Sequence, residues 1–140
     1  MSSAVKPDEI VNAARAYVGI PYRHQGRTRR GLDCVGLLIR CAHDLNISDF
    51  DINGYSRIPS GAMMSRLMAE QMDRLNDSAY QCGDVLHMAF DRQPQHIAIV
   101  SNLSPLRIIH ADSVAGAVVE HSLDQQWLAR VRGHYRLRNG

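Results

Sequence analysis

Gly31-Leu32-Asp33-Cys34-Val35-Gly36-Leu37-Leu38-Ile39-Arg40 is the stretch whose reading decides the fold. It predicts a short loop feeding directly into a helix, with Cys34 in the first turn. Asp33 suits the N-cap, because its carboxylate accepts hydrogen bonds from backbone N–H groups that have no partner within the helix. Leu37, Leu38, Cys41 and Leu45 recur at helical spacing and supply an apolar face. A thiol in the first turn sits at the positive end of the helix dipole, which favours the thiolate, the nucleophilic form. On this ground Cys34 is expected to be a low-pKa thiol. A small buried packing residue is the other reading of Cys34, and this stretch alone leaves both open.

The 140-residue chain fits one domain, 1–140, large enough to bury a core. Its 45% hydrophobic and 21% charged residues are those of an ordinary globular protein, and the net charge of +2 is modest. Arg27, Arg29 and Arg30 form a basic cluster without interleaved aromatics, so they read as a solvated loop or a contact for an anionic substrate. No nucleic-acid partner is indicated. The three cysteines, Cys34, Cys41 and Cys82, show no Cys-x-x-Cys spacing, and no histidine pair shows His-x-x-x-His or His-x-His spacing. No metal site, cofactor or disulfide scaffold is therefore expected. The N-terminus carries no apolar h-region and no apolar run reaches spanning length. The expectation is a protein made in the cytoplasm without a Sec signal and not inserted in a membrane.

Along the chain, a first helix is predicted over 8–18, ended by Gly19, followed by extended Ile20-Pro21-Tyr22. The Cys34 helix runs to about Leu45, with Asn46 as its C-cap. Residues 46–61 read as loop. A methionine-rich helix is predicted over 60–75, its face read as core filler. Strands follow at 85–90, 96–101, 107–111, 116–121 and 131–137, with a hairpin loop at 91–95 and a short helical turn at 123–129. Helices followed by a strand meander predict an α+β fold with an antiparallel sheet.

A cysteine nucleophile needs a base, and the base needs an orienting group. His96 opens one strand and His110 closes its neighbour, so a hairpin around 102–105 brings the rings together on one sheet face. Ordinary hydrogen-bonded strand histidines are the competing reading. His24 sits in the loop before Cys34 and can line a cleft, and His87 alternates within its strand. His43, His121 and His134 have no evident partner and are expected at the surface.

These residues carry a resemblance. Extended Pro21-Tyr22, Asp33-Cys34-x-Gly36-Leu37, Gly83-Asp84-Val85, Gln95-His96-Ile97-Ala98-Ile99 and Ile108-Ile109-His110-Ala111 follow in this order. The pattern resembles the NlpC-type cell-wall peptidases, a papain-like group, over about 8–137. The resemblance implies a papain-like fold with the N-terminal helices packed on the sheet. It implies Cys34 as nucleophile, His96 as general base and His110 as the polar residue that orients it. Tyr22 matches a tyrosine whose hydroxyl lies near the nucleophile. Asp33 matches a residue that shapes the substrate-binding end of the cleft. Val35 departs from the pattern, standing where the family usually has serine.

The implied activity is that of a cysteine peptidase, a murein endopeptidase cutting stem-peptide amides such as D-glutamate–diaminopimelate through a thioester. The implied partner is a peptidoglycan stem peptide. The compact domain, Arg57 and Pro59 in Tyr55-Ser56-Arg57-Ile58-Pro59, and the segment from Trp127 to Tyr135 are similar to the phage-tail and gene-transfer-agent branch. That branch implies further tail or particle proteins as partners and delivery to the envelope by a particle. Alternatives left open are a structural tail-assembly protein with decayed catalysis, a leaderless secreted antibacterial amidase, and an acyltransferase resolving the same thioester with an amine.

Overall fold

The computed structural model describes residues 4–56, 60–76, 79–90 and 95–138. The Arg57–Pro59 part of the branch resemblance and most of the predicted 91–95 hairpin loop lie outside them. Helix α1 (Pro7–Arg15) starts with proline in its first turn, and a chain reversal at Gly19 (φ 95°) follows. Two short strands, β1 (Arg27–Thr28) and β2 (Gly31–Leu32), pair across the loop before helix α2 (Cys34–Asp44). Asn46, just past that helix, adopts φ 56° and its N–H reaches the His43 carbonyl at 3.1 Å, the left-handed ending expected of it.

Helix α3 (Gly61–Gln71) is shorter than its apolar periodicity predicts. Met72 leaves the helix and opens strand β3 (Met72–Arg74), paired with Leu137. Two interactions stabilise that exit. The Met72 side chain is buried in the core, and the Arg138 guanidinium takes the helix-end carbonyls of Ala69 and Glu70 at 2.8 and 3.1 Å. Sheet pairing with a distant strand overrides the helical pattern there.

Strands β4 (Val85–Met88), β5 (His96–Leu103), β6 (Leu106–Asp112), β7 (Ala117–Ser122) and β8 (Val131–Leu137) complete a six-stranded antiparallel sheet of order β3-β8-β4-β5-β6-β7. A single helical turn, α4 (Gln125–Leu128), bridges β7 and β8. Alternation along β5 divides the interior. Ile97 and Ile99 face the helices, together with Leu37, Leu38, Met64 and Met68. Ala98 and Val100 face a smaller cluster with Leu86, Met88 and Ile108, closed by Phe90 and Trp127. The α+β class and the helices-on-sheet arrangement agree with the sequence reading. Among the described residues no helix is long and apolar enough to cross a membrane.

Candidate active site

Asp33 forms the cap the sequence predicts: its Oδ1 accepts from Gly36 N–H at 2.7 Å. The same carboxylate accepts from Arg27 Nη1 at 3.2 Å, Gln25 N–H at 2.8 Å and the Tyr55 hydroxyl at 2.6 Å. Four donors hold it fully buried, so it fixes the loop ahead of Cys34 and shapes that end of the site. Arg27 is spent on this task, and it also bonds Asp51 at 3.0 Å and the Ile52 carbonyl at 2.8 Å. It is therefore part of the frame and not a free cation for a ligand. Gly36 is required by close approach, since a Cβ there would sit 2.1 Å from the Gly26 carbonyl oxygen. The pairing of Tyr22 with Leu32 holds Tyr22, half-buried against the helical core, beside the strand that runs into Cys34.

Cys34 is 8% exposed. Burial, and then the negative charge of Asp33, push its thiol up to about 12, against weaker support from the backbone N–H groups of Ile97, Val35 and Cys34 itself. This corrects the expectation of a low-pKa thiol. The helix dipole is present, but the sulfur is dry and an acid caps the same helix end. The resting group is the thiol, and a base must take its proton during attack.

The thiol meets the backbone of Ile97, the residue after His96. The ring of His96 is fully buried, with Nε2 2.7 Å from His110 Nδ1, while its Nδ1 has no hydrogen-bond partner. The hairpin thus brings His96 and His110 together as predicted. Ile99 pairs with Ile109, which sets the two histidines on one face as a diagonal pair. Burial lowers both rings, His96 well below its usual value and His110 to about 4, so both are neutral at pH 7.

The three histidines expected at the surface, His43, His121 and His134, are half-buried, half-buried and buried. His134 is buried and its Nε2 lies 2.5 Å from Asp84 Oδ2. His121 is half-buried and its Nε2 lies 2.8 Å from His110 Nε2. The signal for His121 was in the register: His110 pairs with Val119, so a histidine two residues on is its diagonal neighbour on the same face. Sequence reasoning also missed the cover. Phe90 packs 5.0 Å from His96, and Trp127 packs 5.4 and 4.4 Å from His110 and His121, all between ring centres. His43 bonds the Phe50 carbonyl at 2.7 Å, His24 the Tyr55 carbonyl at 3.0 Å, and His87 the Gln95 amide oxygen at 2.7 Å. None of these three reaches Cys34 by a hydrogen bond.

The NlpC/P60 family pattern matches residues 19–136. The chain belongs to the NlpC/P60 family. Among solved structures it is similar to an NlpC/P60 family protein from Bacillus cereus, with TM-score 0.71 and 20% identity over 96% of this chain. The chain spans 41% of that protein's length. The NlpC/p60 domain of the peptidoglycan hydrolase SagA matches with TM-score 0.64 and 24% identity, over 95% of this chain and all of that domain. An N-acetylmuramoyl-L-alanine amidase from Bacteroides uniformis matches with TM-score 0.66 and 12% identity, over 95% of this chain and 99% of that one. At these identities the likenesses establish the papain-like α+β fold. No curated protein matches the chain.

Proposed function

We propose that this NlpC/P60 domain is a cysteine peptidase that hydrolyses amide bonds in peptidoglycan stem peptides. The observation that carries the reading is the buried, unpartnered Nδ1 of His96, on the strand whose next residue, Ile97, meets the thiol of Cys34 at the capped start of α2. A buried polar atom without a partner is costly, and is retained where it has chemical work. In the proposed reaction Cys34 Sγ attacks the amide carbonyl as His96 Nδ1 takes the thiol proton. The Cys34 N–H and the Tyr22 hydroxyl stabilise the oxyanion. The C–N bond breaks as His96 returns the proton to the leaving amine. Water, deprotonated by His96, then cleaves the thioester. His110 holds the His96 ring and is not itself the base.

The finer reading rests on the resemblance read from the sequence: a D-glutamate–diaminopimelate bond, and carriage by a phage tail or related particle. Digestion of purified peptidoglycan with mass analysis of the fragments tests the activity and names the bond. Stem peptides cut at an internal amide by wild type and not by Cys34→Ala support it. Fragments cut only between sugars, or equal cleavage by Cys34→Ala, overturn it. Immunodetection of the chain in purified particles tests the delivery route.

A further inference from the structure

Three imidazoles stand in line from the buried end of β5 toward the outer strand. His96 Nε2 is 2.7 Å from His110 Nδ1, His110 Nε2 is 2.8 Å from His121 Nε2, and His121 Nδ1 is 2.9 Å from the Ser122 carbonyl oxygen. Only the last contact has a direction fixed by chemistry, because a carbonyl oxygen can only accept. His121 Nδ1 therefore carries a proton. In neutral His121 the other nitrogen is then a lone pair, so His110 Nε2–H donates to it. His110 Nδ1 is in turn a lone pair and accepts from His96 Nε2–H. His96 is left with a bare Nδ1, the atom that has no partner.

We propose that His121, held by the Ser122 carbonyl, is a positioning residue that sets the tautomer of His96 through His110 and receives the positive charge formed when His96 takes the Cys34 proton. This rests on the role of His96 given above. The step balances. One proton passes from Cys34 Sγ to His96 Nδ1, the Nε2 proton of His96 passes to His110 Nδ1, and that of His110 passes to His121 Nε2. The products are a thiolate, two neutral rings and one imidazolium at His121. The direction follows from solvation: His96 and His110 are fully buried, whereas His121 is the ring with access to water.

The same pattern has a resting consequence. A proton supplied by solvent at low pH produces the identical shift, fills His96 Nδ1 and disarms the base, so the three rings act as one unit. The groups facing that unit are His87 toward His96 and Asp112 toward His110. Toward His121 they are Arg107, which reaches Ser122 Oγ at 3.5 Å, and Arg130, stacked 5.5 Å from Trp127. Glu120, adjacent in sequence, is engaged with Arg15 at 2.8 Å.

The test combines ring spectroscopy with two variants. In full-length protein labelled with 15N-histidine at pH 8, His96 and His110 should show Nε2–H and His121 should show Nδ1–H. His96 found as Nδ1–H overturns the proposal. The spectrum is read without substrate, so it decides the point even if peptidoglycan is not cleaved. In turnover, His121→Phe should lower kcat about 10- to 100-fold with KM little changed. His121→Gln should recover much of that loss, since its amide oxygen accepts from His110 Nε2–H. It should also move the acid limb of the pH profile, because an amide takes no proton. An unaltered acid limb in His121→Gln, equal kcat in His121→Phe and wild type, or a loss confined to KM overturns the proposal.

Discussion

Two buried histidines on this sheet sit in opposite chemical settings. His134 Nε2 meets Asp84 at 2.5 Å, and that carboxylate also accepts from Arg136 Nε at 2.7 Å and from Gln81 N–H at 2.9 Å. His96 has one partner, another imidazole, and a buried nitrogen with none. The first cluster is charge-balanced and closed, tying β8 to the turn before β4. The second is neutral, covered by Phe90 and Trp127, and open at one atom. A histidine in a strand says little about chemistry by itself. The unspent hydrogen-bonding capacity of a buried ring is what separates the site from the scaffold.

The contrast predicts that changes in the two clusters fail in different assays. Cys34→Ala and His96→Ala should each lower kcat/KM at least about 10⁴-fold while circular dichroism is unchanged, because they act as a unit. His110→Ala should cost on the order of 10²-fold. His110→Asn and His110→Gln should cost less, since an amide oxygen accepts the same Nε2–H. If His110→Gln is as inactive as His96→Ala, the orienting role is wrong. Asp84→Ala should do the reverse, lowering unfolding free energy by about 2 kcal/mol in denaturant titration by leaving the buried His134 Nε2 and the Gln81 N–H without their acceptor. The remaining folded enzyme should keep its kcat.

Acid should reveal the neutral chain as well. Burial, then His121, push folded His110 down to about 4 from an ordinary 6.5, so between those values the unfolded chain binds the proton more readily. Stability is full above pH 6.5 and should fall toward pH 4, seen as a declining Tm, with His110→Asn flattening the slope. For Cys34 the raised thiol predicts iodoacetamide labelling that is slow at pH 7 and still rising at pH 10. A plateau below pH 8 would restore the low-pKa reading. The smallest effects belong to Cys41→Ala and Cys82→Ala, which should keep activity within about twofold, since neither stands at the capped start of α2.

Much of this was legible in the sequence because it rests on local rules. The capped start of α2 and the pairing of His96 with His110 follow from helix capping and strand alternation. The four-donor cage of Asp33 was not, because it joins Arg27 of β1 to Tyr55 from the loop beyond α2. The early end of α3 was hidden for a similar reason: its cause is pairing of Met72 with Leu137, distant in sequence. The thiol's elevation depends on how dry the helix end is, which no spacing reports. His121 lay within reach of the same hairpin logic, extended by one strand.

The most direct test of the central claim, that Cys34 carries the acyl group, is capture of the intermediate. Enzyme and a synthetic stem peptide are mixed, quenched in acid within the first turnover and digested, and the mass of the peptide containing Cys34 is read. A mass increase equal to the acyl half of the substrate, lost on treatment with hydroxylamine and absent in Cys34→Ala, is the result predicted. Amide cleavage with no adduct on Cys34, or an adduct on another residue, would contradict it.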